Sequence, residues 1–309
     1  MKRSKITILL AIVLGMTFHS CLDLEPQDQL GGKNMWTSVN DYKQFANTFY
    51  SWTRDFSSVV YDGTHSDKRS DLITYQSYNE FSRGINSIPS SDANYTDNYK
   101  HIRRTNLLLQ NAEAYAKPED IKQYIGEAYF FRAYSYFDLL QLYGDVIITK
   151  KPLDITDPEM KVKRNDRSEV VDLIIDDLNH AVENLPAFKE LTTEEEGRIS
   201  KEGAQAFLSR VALYEGTWQK SRNGNQNTQR SANLLDIAAK AARTVIDAKY
   251  GYTFRLFGTD SETKILGDSA QKYMFILENE KSNPAGIKKS SNHEYIFARR
   301  HDQVLASIG

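Results

Sequence analysis

The stretch from Ile121 to Leu142 constrains the fold of this chain more than any other. Ile121, Ile125, Ala128, Phe131, Tyr136, Phe137 and Leu140 recur at helical spacing, and Tyr124, Tyr129, Phe130 and Tyr134 carry the apolar surface round to nearly every side. A helix that is apolar all round has no face to give to water, so it has to lie between neighbours. Tyr129, Phe131 and Tyr136 are therefore assigned to the core. Pro118 stands near the first turn, where a missing N–H costs nothing, and Gly144 suits a left-handed cap. The spacing predicts one buried helix from Pro118 to about Leu142.

Its neighbours are also helical by pattern. Asp41 is read as the cap of a helix carrying Tyr42, Phe45, Phe49 and Trp52 on one face. Asp97 to Ala116 holds Tyr99, Ile102, Leu107, Leu108 and Ala112. Ser168 is read as the N-cap of a helix lined by Val170, Leu173, Ile174, Leu178, Ala181, Val182 and Leu185. Ser200 opens another with Ala204, Phe207, Leu208, Val211, Ala212 and Tyr214, and Leu234 to Ala248 closes the series. Val146 to Thr149 reads as a short extended piece, and Lys220 to Asn227 as a polar loop. Small residues at Gly203-Ala204-Gln205-Ala206 and Ala238-Ala239-Lys240-Ala241-Ala242 would let helices approach closely, as in tetratricopeptide repeats. The expected fold is mainly α, with tetratricopeptide-like helical repeats and long loops. Residues 57–92 are rich in Ser, Asp, Asn and Gly and form the longest expected loop, a size that is usually functional or disordered.

The start of the chain has a different logic. Met1-Lys2-Arg3-Ser4-Lys5 is basic, and residues 6–16 are apolar and uncharged, the pattern of a secretory signal over residues 1–20. That run is shorter than the roughly 20 residues a bilayer span needs. Cys21, the one cysteine in 309 residues, follows Ser20 directly. A lone thiol there suits lipid attachment, although Phe18 and His19 depart from a strict lipobox. With no second cysteine there is no disulfide, and a chain this long buries enough core without one. Residues 21–40 read as a lipidated tether, polar and acidic at first. The net charge of −2 and the lack of a basic stripe exclude nucleic acid as the expected partner.

Local catalytic motifs are missing. There is no Gly-x-Ser-x-Gly, no His-Glu-x-x-His and no phosphate-cradling glycine loop, and none of the histidines is paired at metal-ligand spacing. No cofactor is expected. Asp62 and Asp67, in Asp-Gly-Thr-His-Ser-Asp, could chelate calcium, with an ordinary polar turn as the alternative. Glu194-Glu195-Glu196 reads as a solvated charge run. A glycosidase pair needs only two carboxylates brought together by folding, so sequence leaves a surface glycosidase open as a lesser alternative.

Several stretches together resemble one family. Cys21 to Pro26, Tyr99 to Leu109, Gly126 to Leu139, Leu142 to Val146, Gly197 to Ala204 and Asn292 to Phe297 are similar, in order, to SusD/RagB-type lipoproteins. The resemblance implies an outer-membrane lipoprotein of Bacteroidetes, facing the cell exterior. It would cap a SusC-like TonB-dependent transporter and deliver glycans, or in some members peptides. Asp23 and Glu25 beside Cys21 resemble the signal that sends such proteins to the outer face. Members continue well past the length of this chain, so it is read as a truncated form. On that basis residues 41–255 are the SusD-like N-terminal helical domain and 256–309 the incomplete start of the C-terminal region.

Sugar rings stack on exposed aromatic faces while amides, carboxylates and guanidinium groups bond their hydroxyls. The expected ligand contacts are Tyr75, Tyr78, Asn79, Arg83, Asn94, Tyr95 and Asn98. In glycan-binding relatives this loop and the start of the next helix line the sugar site, often with a Trp near the position of Tyr95. This chain has Asn94-Tyr95 and no Trp there, which leaves the ligand open between glycan and peptide. Core packing is the alternative for each aromatic. A helical scaffold that holds the transporter without touching cargo is the alternative for the whole protein.

Overall fold

A computed structural model of the chain describes residues 35–53, 72, 80–154, 156–222, 228–275, 286–287 and 292–298. Among the described residues the architecture is helical. It comprises α1 (Val39–Asn47) running into a 3-10 turn (Thr48–Trp52), α2 (Glu80–Arg83), α3 (Ala93–Glu113), α4 (Lys122–Tyr143), α5 (Arg167–Asn184), α6 (Lys201–Arg222), α7 (Thr228–Ile246) and α8 (Ala270–Phe275). From α3 to α7 each helix packs on the one before it, the stacking that a tetratricopeptide-like array requires. α1 lies across the start of the array, against α3, α4 and the 3-10 turn Pro118–Ile121.

α4 is the axis of the core. Phe130, Phe131, Ala133, Tyr136, Phe137, Leu139 and Leu140 are buried on successive sides of it, as its all-round apolar pattern demands. Tyr129 departs from the expectation. It is half-buried, with its ring stacked 4.9 Å from His180 of α5. Two glycines set how closely the helices approach. A Cβ on Gly126 would lie 3.0 Å from the backbone N of Leu185 at the end of α5, and one on Gly216 would lie 3.0 Å from the Leu235 side chain of α7.

Element boundaries move for local reasons. Ser38, not Asp41, caps α1. Asp41 sits three residues in and its carboxylate accepts from the Ser38 N–H at 2.8 Å, a reciprocal capping box. Asp166, not Ser168, caps α5, with Glu169 accepting from the Asp166 N–H at 3.1 Å. α3 starts at Ala93 rather than Asp97 because Asp92 caps it. The helix expected from Pro118 opens as a 3-10 turn and becomes α-helical at Lys122. α7 starts at Thr228, six residues before Leu234, and α6 runs to Arg222, into the segment read as loop. Ser200 does open α6, accepting from the Gly203 N–H at 3.2 Å. The tether expected over residues 21–40 ends early, since Met35, Trp36 and Val39 already pack on the core. The extended piece at Val146 makes one antiparallel bridge, to Asn165.

Three buried arginine–carboxylate pairs fasten the array. Arg132 of α4 meets Asp177 of α5 at 2.6 Å, Arg198 meets Glu127 of α4 at 2.6 Å, and Arg167 of α5 meets Glu215 of α6 at 2.9 Å. Burial pushes the Glu127 carboxyl up, against the opposing pull of Arg198. Arg198 also reaches Asn47, the last residue of α1, so this pair ties the first helix to the loop before α6. Beyond α7, Phe257, Leu266 and Ile287 form a small cluster separate from the main core. Phe297 returns to that main core, with its ring 6.3 Å from Phe130.

Candidate functional site

The surface that carries the expected ligand residues is the amino-terminal end of α3. Asp92 builds it. Its Oδ1 accepts from the Asn94 N–H at 2.9 Å and from Asn94 Nδ2 at 3.0 Å, which starts the helix. Its Oδ2 accepts from the Tyr143 hydroxyl at 2.7 Å, joining the start of α3 to the end of α4. Tyr95 is half-buried. Its ring centroid lies 4.8 Å from Tyr99 and 5.2 Å from Tyr143, edge-on to the latter at 87°. Tyr99 is a pillar rather than a contact, because its hydroxyl donates to the Ile147 carbonyl at 2.8 Å. Burial and the neighbouring Tyr95 push the Tyr99 pKa well above its ordinary value.

The expected residues separate by position. Asn94 and Tyr95 come together on the first turn of α3. Asn98 lies one turn on but is only 7% exposed, and its Nδ2 donates to the Asn94 carbonyl at 2.8 Å and to Asp138 Oδ2 at 3.1 Å. Its amide is thus used to orient α3 on α4. Arg83 is exposed at the end of α2. Tyr75, Tyr78, Asn79, the calcium candidates Asp62 and Asp67, and Cys21 lie outside the described residues.

One feature of this face was not in the expected set. Trp52 stacks on His101 with centroids 4.1 Å apart and planes at 15°. Burial lowers the His101 pKa to about 4, so the ring is neutral at physiological pH. Asn94, Asn98 and His101 fall at i, i+4 and i+7, so they share one face of α3. That spacing was readable in the sequence, whereas the meeting with Trp52 depends on how the 3-10 turn packs. The start of α3 thus offers the partly exposed Tyr95 ring and the Asn94 amide, with Trp52 on His101 two turns further along, groups suited to holding a polyhydroxylated ligand.

A concavity of about 650 Å³ lies elsewhere, between α5 and α7 over Ile175, Leu234 and Ile237. Asp172, Asp176 and Arg230 are on its rims and no aromatic ring lines it, so it offers no stacking surface. Among the described residues no group of three His, Cys, Asp or Glu is placed to hold a metal ion, and no helix is long and apolar enough to cross a membrane.

The successive packing of α3 to α7 defines a helical stack of the tetratricopeptide-like class. Residues 22–213 match the SusD-like family model described as starch-binding and associating with the outer membrane, and the chain belongs to that family. It is 28% identical over 233 residues to SusD-like protein P38 of Formosa agariphila, covering 69% of this chain and 42% of that protein. SusD-like protein P2 of the same organism is 26% identical over 316 residues, covering 96% of this chain and 59% of that protein. The crystal structure of a SusD-like protein from Bacteroides fragilis superposes with a TM-score of 0.61 at 22% identity, over 90% of this chain and 47% of that one. A structure solved with a xylogluco-oligosaccharide superposes with a TM-score of 0.50 at 19% identity, over 85% of this chain and 44% of that one. The chain therefore spans about half the length of these relatives.

Proposed function

We propose that this protein is a lipid-anchored glycan-binding protein of the outer membrane that delivers its ligand to a SusC-like TonB-dependent transporter. The family match over residues 22–213 carries this reading. The face at the start of α3 supports the ligand class, since Tyr95 offers a ring and Asn94 an amide beside it, and Trp52 adds a ring on His101 two turns further along the helix. Arg83, Tyr75, Tyr78 and Asn79 complete the contact set, and Asn98 positions it through Asp138. The relative solved with a xylogluco-oligosaccharide makes a β-glucan-type chain a sensible first probe. Cys21 carries the anchor, on the exterior face. The role is binding, with no bond made or broken.

Affinity electrophoresis through gels containing different polysaccharides tests the reading. At least one glycan should retard the protein, and Tyr95→Ala should weaken that retention by about tenfold, the scale of one well-packed aromatic contact. Retention of peptides and of no glycan would refute the glycan assignment. One observation favours a second reading: Asn98 and much of Tyr95 are engaged inside the fold. Unchanged cargo binding in Tyr95→Ala, together with loss of the transporter complex, identifies a scaffold instead.

A further inference from the structure

The ring at the centre of the ligand face does not hold its own position. Tyr95 stands on the first turn of α3 and is half-buried, so part of its ring meets solvent. A tyrosine side chain turns about its χ bonds, and only its neighbours can fix it. Tyr99, one turn on, has its ring 4.8 Å away at 47°. Tyr143, the last residue of α4, has its ring 5.2 Å away at 87°. Tyr95 is wedged between the two.

Each wedging ring is pinned through its hydroxyl to a group outside the pair. Tyr99 donates to the Ile147 carbonyl at 2.8 Å, in the segment that follows α4. Tyr143 donates to Asp92 Oδ2 at 2.7 Å, the strong class of bond that a carboxylate accepts. The other oxygen of the same carboxylate accepts from the Asn94 backbone N–H and from Asn94 Nδ2. One acid thus sets the direction of the Asn94 amide and, through Tyr143, that of the Tyr95 ring.

The Tyr143 bond is more than either helix end needs. Asp92 Oδ1 starts α3 without it, and α4 is closed by the Gly144 N–H donating to the Leu140 carbonyl at 3.1 Å. The main core holds Ile102 and Leu108 of α3 and Phe131 and Tyr136 of α4, all fully buried, so packing of the two helices does not depend on this hydroxyl. What the hydroxyl adds is a fixed direction for the Tyr143 ring.

We propose that Tyr143 and Tyr99 are positioning residues of the ligand face, which hold the Tyr95 ring in its bound orientation before a ligand arrives. This rests on the reading of Tyr95 as a ligand contact. A ring set in advance need not be ordered on binding, and ordering one such side chain lowers affinity by about threefold to tenfold.

The test is affinity electrophoresis of the full chain through gels containing xyloglucan, with urea unfolding of every variant alongside. Tyr143→Phe keeps the ring and removes the hydroxyl, and should weaken retention by about fivefold, with Tyr99→Phe similar. In a Tyr95→Ala background, run at higher xyloglucan, either change should alter retention by less than about twofold, because no ring remains to be positioned. A purely structural role would lower the urea midpoint while the folded protein is retained like its parent, and that result overturns the proposal. So does an equal loss of retention with and without Tyr95. Failure of the underlying reading looks different: passage of the unsubstituted chain without retardation, or Tyr95→Ala retained as strongly as the unsubstituted chain, refutes the face as a β-glucan contact and the positioning role with it.

Discussion

Breaking the Arg132–Asp177 pair should cost far more than removing both partners. The pair is bidentate, with Nε to Oδ2 at 2.8 Å and Nη2 to Oδ1 at 2.6 Å, and Nη1 donates to Asn106 Oδ1 at 2.8 Å. The side chains are 6% and 0% exposed, so water cannot replace a lost partner. Asp177→Leu leaves a guanidinium buried without its counter-charge, a loss of about 3–5 kcal/mol. At about 2–4 °C per kcal/mol for a domain of this size, the melting temperature should fall by about 10 °C or more. Arg132→Met/Asp177→Leu replaces both charges by apolar side chains and should recover most of that. It should remain about 1–3 kcal/mol short of wild type, because Asn106 Oδ1 still loses its donor. Arg132→Met alone adds a signature in pH. Burial already pushes the Asp177 carboxyl up, and Arg132 opposes that shift. Without Arg132 the folded pKa rises further above the unfolded value. The folded state then binds the proton more tightly, and stability is lost as pH rises through the folded pKa. The variant should therefore be closer to wild type at pH 4 than at pH 7. Urea unfolding of the four proteins at both pH values measures the cycle. An Asp177→Leu cost below about 1 kcal/mol, or a double variant as unstable as the sum of the singles, would refute the argument.

Two further outcomes follow from the same packing. Gly126→Ala should destabilise by about 1–3 kcal/mol despite the better helix propensity of Ala, because the new Cβ meets the Leu185 backbone at 3.0 Å and Asn184 Cβ at 3.1 Å; an unchanged urea midpoint would show that α4 and α5 can separate cheaply. His101 makes stability depend on pH in the opposite sense to the unpaired Asp177. Its folded pKa, about 4 through burial, lies below the unfolded value near 6.5. Between those values the unfolded chain holds a proton that the folded one does not, so stability rises with pH and is lost on acidification. Partial exposure limits the loss to about 1–2 kcal/mol. His101→Phe should flatten that part of the pH profile of the urea midpoint, and an unaltered slope would assign it to other groups.

Most of the helical stack was legible because each helix advertises its buried face. The apolar period of α5 and the all-round apolarity of α4 need no knowledge of neighbours. The early start of α7 was hidden because its inward residue there is polar. Ser231 is buried and donates to the Gly216 carbonyl at 2.7 Å, a contact that an apolar period cannot register. The caps were misplaced for a related reason. Ser38-x-x-Asp41 and Asp166-x-x-Glu169 are visible as strings, but neighbouring polar residues offer rival caps until the approach of the chain selects one. At the candidate site, Asn94 and Tyr95, singled out by type and context, share the first turn of α3. Asn98 has the same chemistry, yet it faces Asp138 across the α3–α4 contact.

By itself the sequence determined the class of this protein. The periodicity demands stacked helices, and the order of the motifs matches the SusD-like family. Only the tertiary structure decided which charged residues belong to the interior. Arg132 finds Asp177 across 45 residues, Arg198 finds Glu127 across 71, and Arg167 finds Glu215 across 48. Such pairs leave no periodic trace in the chain, because a charge is stable inside only when a distant partner arrives, and folding is what brings it.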